Sequence, residues 1–267
     1  MLGGYRLACK DSPDAKPQTP KANKLLVALC VSGALTIGLP IVLAIGLRLF
    51  VIEAFKVPSG AMTPSIVPGD HLFAEKGAYR NRAPRRGEVF IFQFPERPAQ
   101  DFVKRGIAIG GDRLEIRDGH PILNGWQVPF CRVGPYAYVD DSGDTGVHRG
   151  ELFVEFLETS AYLVFLDGAQ QVAGTQGPYT VAPGETWVLG DNRNNSYDSR
   201  LWFGGRGAGV PRSHVRGRAR WVWRSAVPGQ TGKDLAADPV APTPELAAPL
   251  AACLAKRPND TTPPPAK

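Results

Sequence analysis

The chain has 267 residues, which at about 100–200 per domain allows one large domain or two small ones. Lys and Arg number 31 against 25 Asp and Glu, a net charge of +6, and 43 % of residues are hydrophobic, enough apolar material to exclude a wholly disordered protein. The 30 Gly and 25 Pro against two Met favour turns and short strands over a helical bundle. The small, dispersed positive surplus suits an anionic membrane as well as it suits nucleic acid.

The leader, residues 1–24, carries Arg6, Lys10, Lys16, Lys21 and Lys24 against Asp11 and Asp14. Residues 25–47 follow as an uncharged run, LLVALCVSGALTIGLPIVLAIGL, matching the about 20 apolar residues that cross a bilayer core. Pro40 is tolerated there as a kink. The run exceeds the about 7–15 apolar residues of a cleaved signal peptide, and Leu29 before Cys30 is not the small residue of a lipoprotein signal. A transmembrane helix over 25–50 is expected. The basic leader places the N-terminus in the cytoplasm and the rest of the chain across the membrane.

From Val57 to about Arg224 apolar residues recur with period two between turn signals. Strands are expected at 87–94, 101–109, 113–116, 151–157, 162–166 and 185–190. Asp118-Gly119 marks a hairpin turn at 117–120. VRGRARWVW (215–223) puts Val215, Gly217, Ala219, Trp221 and Trp223 on one face and Arg216, Arg218 and Arg220 on the other. That arginine stripe reads as a solvated strand face or as a headgroup contact. Residues 227–267, rich in Pro and Ala, lack the apolar surface to offset their ordering entropy and are expected to be disordered. The expected fold class is mainly β, an N-terminal transmembrane helix followed by an antiparallel domain over 51–226.

Cys9, Cys30, Cys131 and Cys253, and His71, His120, His148 and His214, are scattered without metal-ligand spacing. No zinc or haem site and no disulfide framework is expected. Gly204–Gly209 is glycine-rich but lacks the Lys-Ser/Thr of a phosphate loop, which leaves a surface loop.

Four segments after the apolar run carry the chemistry: VPSGAMTPSI (57–66), PGDHLF (68–73), FVKRGIAIGGD (102–112) and GDNRNNSYDSR (190–200). Lys104 falls mid-strand. Turned inward it would be desolvated, lowered in pKa and able to act as a neutral general base; turned outward it would be an ordinary solvated lysine. The last segment, dense in Gly, Asn, Asp and Ser, reads by itself as a tight polar loop.

Together these segments, their order and their place beyond the apolar run resemble the type I signal peptidases, membrane-anchored serine proteases with a Ser-Lys dyad. The resemblance covers about 25–224, with no motif between about 120 and 180, a less certain insertion. It implies Lys104 as general base, Ser196 as the hydroxyl that orients it, Ser59 as the side-chain donor of the oxyanion hole, Asp198 and Arg200 as an ion pair near the site, and Val57, Pro58 and Met62 along the substrate groove. It also implies a lack of cofactor, signal peptides of secreted preproteins and the lipid bilayer as partners, no nucleic acid, and a single-pass place in the inner membrane with the β domain outside. The family pattern is Pro-Ser-x-Ser-Met, its second serine the nucleophile. This chain has Pro58-Ser59-Gly60-Ala61-Met62. Alanine offers no hydroxyl, so no acyl-enzyme can form at Ala61. Three functions stay open: a signal peptidase inactive as written, a non-catalytic peptide-binding membrane scaffold, and a processing peptidase for pilin or conjugation proteins.

Overall fold

The computed structural model describes residues 21–42, 46, 52–139, 146–168 and 174–266. The leader 1–20 with Cys9, and residues 43–45 and 47–51 at the end of the expected span, lie outside the described residues. The chain divides into two compact units, Met1–Leu47 and Arg48–Lys267.

In the first unit, α1 (Lys21–Gly33) runs into a π-helical stretch, Ala34–Gly38, and helical geometry continues to residue 42. The polar groups of this stretch are satisfied internally. The Ser32 hydroxyl donates to the Leu29 carbonyl at 3.2 Å and Thr36 to that of Ser32 at 2.8 Å. Val27, Leu29, Val31, Leu35, Ile37, Leu39, Ile41 and Val42 are all exposed. Among the described residues no helix is long and apolar enough to cross a membrane.

The second unit is β throughout its body. The strands are β1 (Ile52–Lys56), β2 (His71–Glu75), β3 (Val89–Phe94), β4 (Arg97–Ile109), β5 (Arg113–Arg117), β6 (His120–Leu123), β7 (Trp126–Gln127), β8 (Phe130–Val139), β9 (Val147–Leu157), β10 (Ser160–Asp167), β11 (Thr175–Thr180), β12 (Glu185–Leu189), β13 (Val210–Pro211) and β14 (Val215–Arg224). They form a seven-stranded sheet in the order β1-β2-β14-β3-β4-β12-β13, a three-stranded sheet β10-β9-β8 and a four-stranded sheet β11-β5-β6-β7. Neighbouring strands pair antiparallel. Asp118 and Gly119 take φ of 50° and 83° between the paired Arg117 and His120, the two-residue turn that Asp-Gly favours.

Two strands missing from the sequence reading contain Gly-Pro, which normally argues against a strand. Pro135 in β8 and Pro178 in β11 both sit on sheet-edge strands, and a register shift in β11 falls between Gln176 and Tyr179. An edge strand tolerates the missing N–H and the bulge. The described part of the 120–180 stretch is thus mostly strand.

Strict alternation fails in β14. A bulge between Ala219 and Trp221 shifts the phase, so Val222 becomes buried while Trp221 and Trp223 turn outward. Arg216, Arg218 and Arg220 face Asp101, Glu88 and Asp234 at 3.5, 3.9 and 2.7 Å, which neutralises the stripe with carboxylates of the same chain.

The segment 227–267 corrects the expectation of disorder. Helix α2 (Ala247–Ala255) follows a 3₁₀ turn, Pro244–Leu246, and its Pro249 falls in the first turn, where no N–H is needed. Leu246, Leu250 and Cys253 pack on Val133, Leu152, Val154 and Phe165. Cys253 is bonded to Cys131 of β8, a disulfide the scattered spacing did not suggest. The few apolar residues of the tail are enough because each lands on a ready-made sheet face. Beyond α2, the Thr261 carbonyl accepts from Glu158 N–H at 2.7 Å and the Pro264 carbonyl from Asn124 Nδ2 at 2.7 Å.

Candidate active site

The loop between β1 and β2 is closed at its neck by two hydrogen bonds, Val57 N–H to the Asp70 carbonyl and Gly69 N–H to the Val57 carbonyl, both 2.8 Å. Gly69 has φ of 87°, a conformation suited to glycine at this reversal. Inside the loop, Gly60–Met62 form one 3₁₀ turn, with Thr63 N–H on the Gly60 carbonyl at 3.0 Å. Met62 and Ile66 are sunk into a cluster with Val57, Leu72, Ile91 and Val222. These apolar anchors hold the turn from below and leave Pro58 and Ser59 exposed above it.

Lys104 enters from β4, opposite Phe90 of β3. Of the two orientations open to it, the structure takes the inward one: the side chain is 4 % exposed. Burial pushes its ammonium down to about 8; the Asp198 carboxylate opposes that shift, Arg200 adds to it and Asp191 opposes it. Among the described residues Lys104 makes no hydrogen bond that would hold the charged form. An amine so placed is available as a base a little above neutral pH.

Lys104, Ser59 and Ala61 line one groove of about 440 Å³, whose remaining wall is largely apolar and includes Val57, Pro58 and Met62. Ser59 is the serine of that wall. Ser65 is instead buried, its hydroxyl 3.5 Å from an Arg105 guanidinium nitrogen.

The segment 190–200 contributes Asn195 and Tyr197 to the groove wall. A Cβ on Gly190 would collide with the Ser196 side chain and the Ala61 carbonyl, so glycine permits the close approach of these two segments. Ser196 is 6 % exposed, and its hydroxyl has no hydrogen-bond partner among the described residues. Asn192 ties the strands of the site together: its N–H reaches the Ala61 carbonyl and its Nδ2 the Gly60 carbonyl, both at 3.1 Å, and Nδ2 also meets the Tyr138 hydroxyl at 2.6 Å.

Three buried ion pairs underlie this polar layer. Asp198 holds Arg200 at 2.8 Å and accepts from Gly190 N–H at 3.0 Å. Burial alone would drive its carboxyl up, but Arg200 and that N–H hold it below the ordinary value. Asp191 holds Arg105 at 2.6 Å, and Arg105 lies 4.2 Å from the Tyr162 ring centroid. Glu155 pairs with Arg193 at 2.6 Å and with His120 at 2.8 Å. Asn192, Arg105 and Glu155 have no individual mark in the sequence that names them as site residues. Glu155 carries a legible signal, a carboxylate inside the apolar run ELFVEFL, but nothing local names its partners.

The family model described as "Signal peptidase, peptidase S26" matches residues 30–224. The chain belongs to this family. It is 32 % identical over 217 residues to signal peptidase I of Leptolyngbya laminosa, spanning 78 % of this chain and 85 % of that protein. It is 29 % identical to signal peptidase I of Pseudomonas aeruginosa over 67 % of each chain, and 29 % identical to that of Aquifex aeolicus over 70 % of this chain and 82 % of the other. The membership supports a signal peptidase function, that of a hydrolase acting on the signal peptides of preproteins. Residues 225–267 lie beyond the match.

Proposed function

We propose that this chain is a signal-peptide-binding member of the type I signal peptidases whose acyl-transfer chemistry is arrested at Ala61. The observation that carries the reading is the groove itself: Lys104 is buried and, among the described residues, free of hydrogen bonds in the same wall as Ser59, while the family's nucleophile position, also in that wall, holds a methyl group. In this reading Lys104 is the general base, Ser196 orients its amine, Ser59 donates to the developing oxyanion, and Asp198 with Arg200 stabilises the loop around them. A serine at 61 would attack the scissile carbonyl and give its proton to the Lys104 amine. The C–N bond then breaks as the lysine returns that proton to the leaving amine, and water releases the acyl group.

A peptide with small residues before the cleavage point suits the shallow apolar wall, and binding does not need the missing hydroxyl. The absent nucleophile equally favours a pseudoenzyme that holds peptides or a secretion partner. A pilin- or conjugation-type processing role differs only in its client. We place the β domain on the outer side of the inner membrane. The Cys131–Cys253 disulfide supports an oxidising compartment, and the exposed apolar helical stretch over 27–42, continued by the uncharged residues to 47, supports a membrane anchor.

The test compares the chain with its Ala61→Ser variant, in detergent or lipid, against a preprotein carrying an Ala-x-Ala cleavage region. The Ala61 form should bind it, measured by calorimetry, without cutting it on a gel, and Ala61→Ser should cut after the second small residue. Cleavage by the Ala61 form that disappears on mutating some other serine would move the nucleophile elsewhere. Binding by neither form would leave only the fold in common.

A further inference from the structure

Beyond Arg224, outside the family match, the chain doubles back along β14. Gly232 N–H donates to the Val222 carbonyl at 2.7 Å, Val222 N–H to the Lys233 carbonyl at 3.0 Å and Leu235 N–H to the Arg220 carbonyl at 2.8 Å. The Arg220–Asp234 ion pair at 2.7 Å fixes the same register. Leu235 thereby joins the apolar cluster under the site loop, beside Val57, Met62 and Ile66. Lys233, two residues earlier, reaches the loop backbone. Its ammonium donates to the Ser65 carbonyl at 2.8 Å and the Pro64 carbonyl at 3.4 Å, with Gln230 Oε1 as third acceptor at 3.2 Å.

An ammonium has three donors, and here all three are used, two of them on consecutive carbonyls of the loop whose Ser59 and Ala61 line the groove. Charge-assisted bonds of this kind are roughly twice as strong as neutral ones. They act on the stretch just after the 3₁₀ turn, where Ile66 N–H closes on the Met62 carbonyl at 3.0 Å.

We propose that Lys233 is a positioning residue, which clamps the Pro64 and Ser65 carbonyls and sets the Ser59–Met62 turn in the geometry that peptide-bond cleavage requires. The inference rests on reading this groove as the peptidase site. Burial pushes the Lys233 ammonium down to about 8, against Asp191 and Asp70, which raise it, and with Arg105, which lowers it. Asp70 is the loop's own neck residue, and Asp191 and Arg105 are the ion pair beside Ser65. The clamp therefore loosens as Lys233 loses its proton, while Lys104 gains competence over the same range.

The experiment uses the full chain with two readouts. In the Ala61→Ser background, Lys233→Met should lower kcat for an Ala-x-Ala preprotein about tenfold and leave KM within about twofold, because positioning errors act on the chemical step. The activity of Ala61→Ser should fall again above pH 8, and Lys233→Arg, which stays charged, should remove that alkaline fall. In the unaltered Ala61 chain, amide exchange over 60–69 should speed up about tenfold in Lys233→Met, recover in Lys233→Arg and stay unchanged in β9. A rise in KM at constant kcat, an alkaline fall that persists in Lys233→Arg, or unchanged exchange over 60–69 would each overturn the proposal. If Ala61→Ser cuts nothing, the peptidase reading fails, and the exchange experiment still decides whether the clamp exists. If Lys233→Met does not fold, the pH profile of Lys233→Arg decides.

Discussion

The backbone N–H of Asn192 donates to the carbonyl oxygen of Ala61 at 3.1 Å, joining two segments more than a hundred residues apart in the chain. This bond, with Asn192 Nδ2 on the Gly60 carbonyl, aims the 3₁₀ turn at the groove. Position 61 is thus held by partners that do not depend on its own side chain. A serine placed there inherits the geometry.

The base should declare itself in a pH profile. Lys104 must be neutral to accept a proton, and its folded pKa is lowered to about 8 by burial, so Ala61→Ser cleavage should rise as pH climbs toward about 8, and with Lys233→Arg added it should go on rising through that value. Lys104→Ala and Lys104→Arg should both abolish it, the second because a guanidinium stays charged. Turnover retained by either variant in a gel assay would remove Lys104 from the mechanism.

Gly190 tests the packing of the site. Its φ is not in the left-handed region, so the penalty on Gly190→Ala comes from space alone: the new methyl would strike the Ser196 side chain and the Ala61 carbonyl. Forcing one methyl into such packing typically costs about 1–3 kcal/mol, readable as a lowered urea midpoint. In the Ala61→Ser background most cleavage should be lost with it. Wild-type kcat in Gly190→Ala would mean that Ser196 and the turn can separate without consequence.

The disulfide should matter for stability. Cys131 and Cys253 are 122 residues apart, and a cross-link of this span stabilises by up to about 5 kcal/mol, chiefly through the unfolded chain. Reduction, or Cys253→Ser, should lower the urea midpoint by a corresponding amount and release α2 from β8. In intact cells an impermeant thiol reagent should reach Cys253 only after reduction, provided the β domain lies outside. Labelling without reductant would argue that the bond is absent.

Acid should weaken the protein through Glu155. Burial alone would raise its carboxyl, but Arg193 and His120 outweigh it and hold the pKa at about 2. A carboxyl depressed in the folded state contributes stability that is complete above its ordinary value near 4.5 and is lost as pH falls from there toward 2. Urea unfolding between pH 5 and 2.5 should show a loss of a few kcal/mol, and Glu155→Gln should flatten that dependence while lowering stability at pH 7. An unchanged acid slope in Glu155→Gln would place the sensitivity elsewhere.

What could be read from the sequence follows from how local each signal is. Strands β3, β4, β5, β9, β10 and β12 announce themselves because alternation and turn residues act over a few positions. Lys104, Ser59 and Ser196 were nameable because they stand in contiguous motifs, although only the fold shows Lys104 turned inward. The bulge that reverses Trp221 and Val222 depends on register with β2, a property of two strands together. The tail misled for the same reason. Leu235, Leu246, Leu250 and Cys253 are sparse in a Pro- and Ala-rich stretch, and their value depends on surfaces formed a hundred residues earlier. Asn192, in the middle of a polar run, gives no sign that its partner is the Ala61 carbonyl.

Because β14 lies between β2 and β3, the order of synthesis and the order of the sheet disagree. A growing chain releases β2 and β3 early but leaves a gap between them until Val215–Arg224 arrives. Until then both strands present raw edges, and Leu72 and Ile91 remain wet. Pairings this distant in the chain form slowly and late. A ribosome stalled before residue 215 would therefore carry an open, adhesive half-sheet until the last strand slides home.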